Sequence, residues 1–180
     1  GYTKGDIETW SESLARAMTS IGLGRDDVVQ VGYGYGLFTG GLGLHYGAER
    51  IGAAVLPVGT GNTERQIELM QDLGTTAIAC TPSYFLHIME VAEKMGVSIK
   101  NDTLLKTGVF GAEPWSLETR KRIEDATGIK AYDIYGTSEI SGPLFTECYV
   151  QKGIHVWGDM FLTEVIDPKT GEAVEDGERG

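Results

Sequence analysis

Thr76-Ala77-Ile78-Ala79-Cys80-Thr81-Pro82 is the stretch on which the fold turns. Thr76 to Cys80 is a short apolar run, read as a buried strand. Thr81 can cap a helix through its hydroxyl, and Pro82 suits the first helical position because no amide hydrogen is needed there. Phe85, Ile88, Met89 and Ala92 then fall on one helical face, and Gly96 closes the helix.

The same alternation extends upstream. Ile7, Trp10, Leu14, Met18 and Ile21 line a helix that ends at Gly22, and Val28 to Val31 reads as a strand. Gly32 to Gly43 reads as a glycine-rich loop, Leu44 to Ile51 as helix and Ala53 to Pro57 as strand. Thr63-x-x-Gln66 has the form of a capping box for a helix ending at Gly74. Downstream, Thr107 to Phe110 is strand-like, Ser116 caps a helix to Gly128, and Lys130 to Ile134 is a further strand.

This pattern predicts an α/β fold with a largely parallel sheet and helices on both faces. After Ser141 the runs Leu144 to Val150, Ile154 to Trp157 and Phe161 to Ile166 precede the turn-former Asp167-Pro168-Lys169-Thr170-Gly171. Residues 1–142 are therefore expected to form the core, and residues 143–180 a small β-rich segment of the same domain. Gly1-Tyr2-Thr3 opens without methionine and Glu178-Arg179-Gly180 stops without a closing element, so a partial chain is expected.

Composition narrows the function. The 180 residues are 41% hydrophobic, ordinary for a globular protein, and carry a net charge of −11, which repels nucleic acid and anionic membrane. Cys80 and Cys148 form no disulfide framework, so a cytoplasmic setting is expected. No run is long and apolar enough to span a bilayer. Cys148-x₆-His155 lacks the spacing of a common zinc site, and His45 and His87 stand in no catalytic pattern. Trp10, Trp115 and Trp157 are assigned to packing.

Ligands of open α/β sheets bind beyond the carboxyl ends of the strands. The loop after Val31 contains Tyr33, Tyr35, Gly36 and Phe38 among glycines, which suits a planar aromatic ligand. Aromatics packed on neighbouring helices are an equal reading there. No register of that loop satisfies the dinucleotide fingerprint G-x-G-x-x-G, which disfavours a nicotinamide oxidoreductase. Gly111-Ala112-Glu113-Pro114, taken alone, is an ordinary strand-to-helix turn. Asp133-Ile134-Tyr135-Gly136-Thr137-Ser138-Glu139 combines hydroxyls, glycine and carboxylates at a strand end, which suits a nucleotide phosphate with Mg²⁺.

Tyr135 to Glu139 resembles the core motif of adenylate-forming acyl-CoA synthetases. Tyr33 to Gly41, His45 to Glu49 and Gly111 to Pro114 are similar to runs in phenylacetate-CoA ligases, a resemblance that spans essentially all of the sequence. It implies part of the N-terminal domain of an enzyme that uses ATP to adenylate an aryl acid and then transfers the acyl group to CoA, releasing AMP and pyrophosphate. It places Gly111, Ala112, Glu113 and Pro114 between the adenine and acyl sites. Asp133, Ile134, Tyr135 and Gly136 would border adenine, Thr137 would contact the α-phosphate, and Glu139 would bind Mg²⁺. Tyr33, Phe38 and Gly111 would surround the aryl ring, with Tyr35 and Gly36 shaping the wall. The Ser/Thr/Gly-rich phosphate loop and the catalytic-lysine domain of that family lie outside these residues, so residues 1–180 alone are expected to be inactive. A non-catalytic aryl-acid and nucleotide-binding module is the alternative, and a homodimer is the assembly kept open.

Overall fold

The computed structural model describes residues 1–36 and 38–180; Leu37, part of the glycine-rich run, lies outside the described residues. Helices α1 (Lys4–Ser20), α2 (Thr39–Arg50), α3 (Thr63–Asp72), α4 (Pro82–Lys94), α5 (Ile99–Asp102) and α6 (Leu117–Thr127) alternate with strands β1 (Val28–Val31), β2 (Ala54–Leu56), β3 (Ala77–Cys80), β4 (Thr107–Gly111), β5 (Lys130–Tyr135) and β6 (Phe145–Thr146). The sheet order is β2-β1-β3-β4-β5-β6. β1 to β5 pair in parallel, and β6 lies antiparallel to β5.

Side chains alternate along each strand, so both faces of the central strands carry apolar groups. In β3, Ala77 and Ala79 join one core with Trp10, Leu14 and Leu44 of α1 and α2. Ile78 and Cys80 join the other with Ile67, Phe85, Ile88 and Ile123 of α3, α4 and α6. Chain direction along the sheet reverses after β2, passing β1 to reach β3, and the connecting helix changes face with it, as right-handed crossovers demand. Each fully buried large side chain contributes roughly 1.5–3 kcal/mol.

The β3–α4 junction forms as read: the Thr81 hydroxyl accepts the Tyr84 amide, with Pro82 in the first turn. Ser116 caps α6 in the same way. Four local expectations change. Helix α1 begins earlier than Ile7, because Thr3 and Asp6 make a reciprocal capping box. Thr63 is no cap; the residue before α3 is Asn62, in a left-handed conformation without a side-chain bond. Gln66 is instead fully buried, and its side-chain amide reaches the Gly59 carbonyl (2.9 Å) and accepts from Gln30 (3.0 Å).

The third change is in the loop after β1, much of which is helix. Gly40, Gly41 and Gly43 belong to α2, where a Cβ on Gly43 would come within 2.6 Å of the Trp10 ring and one on Gly47 would collide with Leu14. These glycines let α1 and α2 approach, which offsets their roughly 1 kcal/mol propensity cost apiece. The fourth is the extent of strand after Ser141. Beyond β6 only the bridges Thr146–His155 and Ile166–Ala173 pair among the described residues.

Candidate functional site

Two adjoining cavities open at the carboxyl edge of the sheet. The first, of about 310 Å³, is walled by Tyr33 and Phe38 after β1, Thr39 and Gly40 opening α2, and Thr137 and Glu139 after β5. The second, of about 380 Å³, lies between Ala112–Trp115 after β4 and Asp133–Gly136 ending β5. Ala112, Ile134 and Gly136 line both and form their common wall. Both volumes fall in the range of small-molecule sites.

Tyr33 is a strut as well as a wall. Its hydroxyl donates to the Cys80 carbonyl (2.6 Å) and accepts the Gly111 amide (3.1 Å), tying the ends of β1, β3 and β4. Burial pushes its phenol well above the ordinary range, so it stays a neutral donor. The Phe38 ring, 44% exposed, stands 5.9 Å from it. Helix α2 starts with no side-chain cap beside this cavity, which leaves its first amides for an anionic ligand.

The hairpin joining β5 to β6 supplies the polar wall. Gly136 and Gly142 allow its close turn: a Cβ on Gly136 would meet Pro143 at 2.6 Å, and one on Gly142 would collide with the Thr137 amide. Ser138 is held by the Tyr2 hydroxyl (3.1 Å, to its carbonyl) and by Thr39 (3.3 Å, hydroxyl to hydroxyl). Glu139 is exposed, and its own backbone amide and the Thr137 hydroxyl hold its carboxyl below the usual range. It is therefore ionised at neutral pH and free to meet a cation.

Of the residues expected around an aryl ring, the structure brings Tyr33 and Phe38 into the first cavity. Tyr35 and Gly36 line neither cavity. The Tyr35 hydroxyl pairs with His45 Nδ1 (3.2 Å), whose Nε2 lies 3.4 Å from Glu49. Partial burial and then the Glu49 charge push Tyr35 up to about 12. Gly111 also lines neither; a Cβ there would collide with the Ile134 carbonyl, so this glycine closes β4 on β5.

Ala112, Glu113, Pro114, Asp133, Ile134, Tyr135 and Gly136 all line the second cavity, while Thr137 and Glu139 stand in the first. Ala112 holds a left-handed backbone at φ 67. Glu113 braces α4, accepting the Ser83 amide (2.7 Å) and hydroxyl (3.0 Å).

Sequence reading missed the support under Asp133. Trp115 donates its indole N–H to Asp133 Oδ1 (3.0 Å), and the Arg120 guanidinium lies 5.0 Å over the Trp115 ring. Arg120 also donates to Glu147 Oε2 (2.8 Å), which accepts the Asp133 amide (2.8 Å). Trp115 adjoins the Gly111–Pro114 motif, which was its only local signal. Arg120 is one of three consecutive basic residues on a helix and Glu147 a lone charge, and neither carried one. Thr39, Ser138 and Gly142 were also missed as cavity residues; Ser138 lay inside the motif itself.

An open α/β sheet with its cavities along the carboxyl edge defines a ligand-binding α/β protein of the topology-determined kind. Residues 37–180 match the family described as AMP-binding enzyme, and the chain belongs to that family. It is 49% identical over 182 residues to phenylacetate-coenzyme A ligase of Pseudomonas putida, covering 100% of this chain and 41% of that protein. It is 46% identical to the Escherichia coli (strain K12) phenylacetate-coenzyme A ligase, covering 42% of it. The chain thus spans about two fifths of the length of the curated relatives it matches. Among solved structures, 2-hydroxyisobutyryl-CoA ligase in complex with 2-HIB-AMP and CoA superposes with a TM-score of 0.93 at 31% identity, over 100% of this chain and 40% of that one.

Proposed function

We propose that the protein containing these residues is an aryl-acid CoA ligase of the phenylacetate-CoA ligase type. The observation that carries this reading is the shared wall of the two cavities. An aryl acid between Tyr33 and Phe38 and a nucleotide against Ala112–Pro114 and Asp133–Gly136 would bring carboxylate and α-phosphate together near Thr137. The activity of the relatives and the family match support it.

The acid's carboxylate oxygen attacks the α-phosphorus of ATP, forming a P–O bond as pyrophosphate leaves. The CoA thiol, losing its proton, then attacks the acyl carbon and AMP departs, leaving a thioester. Rate enhancement on this scheme comes from positioning and charge stabilisation. The uncapped start of α2 and the Thr137 hydroxyl supply donors to the anionic groups. Glu139, ionised and exposed, would be the residue that holds a Mg²⁺, a hard cation that carboxylate oxygen suits. Bound there, the ion would neutralise phosphate charge.

Two finer readings belong to the same proposal. Residues 1–142 act as the adenylate- and aryl-binding core and residues 143–180 as its appended segment. Free Cys80 and Cys148 support a reducing, cytoplasmic setting. AMP release by the full-length protein, assayed with a panel of aryl acids plus ATP, Mg²⁺ and CoA, tests the function. Turnover with phenylacetate or a close relative is expected, and none with any aryl acid would overturn it.

A further inference from the structure

The second cavity rests on a closed loop of side chains, two of which reach its wall. Starting from Asp133, it runs through the Trp115 indole, the Arg120 guanidinium and the Glu147 carboxylate, and returns to the Asp133 backbone amide. The Arg120–Glu147 pair is almost fully buried, at 14% and 6% side-chain exposure. Burying such a pair costs desolvation, and here Arg120 Nε has no hydrogen-bond partner among the described residues, so the value of the pair is geometric more than energetic. Phe110 abuts Trp115 edge-on at 5.7 Å, which fixes the indole from its other side.

Only Trp115 and Asp133 of this loop line the cavity. Glu147 fixes the backbone of Asp133, and Trp115 fixes one carboxylate oxygen. The remaining oxygen, Oδ2, has no hydrogen-bond donor among the described residues. An acceptor fixed at that place favours a purine with an exocyclic amino group over one with a carbonyl at the same position.

We propose that Trp115, Arg120 and Glu147 are positioning residues that orient the Asp133 carboxylate, so that this loop sets the preference for adenine over guanine. The inference rests on the reading of the second cavity as the nucleotide site. Trp115→Phe keeps a ring beneath Arg120 and removes the N–H that holds Asp133.

The test is calorimetric titration of the full-length protein with AMP and with GMP. Trp115→Phe is expected to lower AMP affinity about tenfold, the worth of one hydrogen bond to a charged group. GMP affinity should change less, so the AMP-to-GMP ratio falls. Arg120→Lys, which keeps a charge beside Glu147 but loses the planar stack, should shift the ratio the same way. In an Asp133→Ala background Trp115→Phe should change AMP affinity less than about twofold, because coupled residues are not additive. Equal losses for AMP and GMP, or an undiminished loss in that background, would overturn the inference while leaving the nucleotide reading intact. A wild-type protein that binds neither nucleotide would remove both.

Discussion

Two groups of glycines sit close together in this molecule and do opposite things. Those of α2 are helical, and two of them, Gly43 and Gly47, meet Trp10 and Leu14 of α1 and line neither cavity. Gly136 and Gly142 sit in the β5–β6 hairpin, where they let Thr137 and Glu139 stand at the cavity wall. The first group is a matter of stability and the second a matter of shape at the site. A glycine-rich run in sequence does not say which.

Gly47 carries the largest expected effect. Gly47→Val drives a branched side chain into Leu14, and a loss above about 3 kcal/mol is expected, read as a collapse of the melting transition. Survival of the transition would mean that α1 and α2 can separate at little cost. Glu139→Gln should act in the contrary sense. Adenylation by the full-length protein should fall about a hundredfold, equivalent to roughly 2.7 kcal/mol, with melting unchanged. Because Glu139 is held below the usual carboxylate range, the Mg²⁺ dependence of adenylation should persist to a lower pH than an ordinary glutamate would allow.

Gly142→Ala lies between these cases. Its Cβ meets the Thr137 amide, and about 2 kcal/mol of stability is expected to go with a larger proportional loss of nucleotide binding, measured side by side. The smallest effect belongs to the first turn of α1. Thr3→Ala should cost about 1 kcal/mol in denaturant melts, because the helix also leans on α2. Its partner Asp6 is held below its ordinary value of 3.8 by the Thr3 amide and hydroxyl. A depressed carboxyl stabilises above its unfolded value and ceases to do so as pH falls through its native one. Protection of the first-turn amides, relative to the intrinsic exchange rate at each pH, should therefore fall as the pH drops below about 4 and not when it rises.

Where local chemistry decides structure, sequence was sufficient. Thr81-Pro82 and Ser116 announce their helices because a cap is a contact over three residues. The body of α2 was legible as Leu44 to Ile51, but its start was not, since the glycines of Thr39 to Gly43 argue for a loop and only the face of α1 explains them. Thr63-x-x-Gln66 misled for the reverse reason: Gln66 is drawn into a buried amide pair with Gln30, 36 residues distant. At the site, the motif residues fell together because the strand ends that carry them are neighbours in the sheet. Glu147 and Arg120 stayed hidden, since nothing near either in sequence marks a pair formed between a helix and a strand end.

Ala112 has a consequence for anyone who would engineer the protein. A left-handed alanine is strained by about 1–2 kcal/mol, more than the roughly 0.5–1 kcal/mol that glycine adds to the freedom of the unfolded chain. Selection for heat tolerance would therefore find Ala112→Gly attractive. Yet Ala112 is the partition between the two cavities, and the same exchange would soften it. Screens that score survival of heating without scoring turnover would enrich a catalytically blunted protein, and the two readouts should be taken together from the first round.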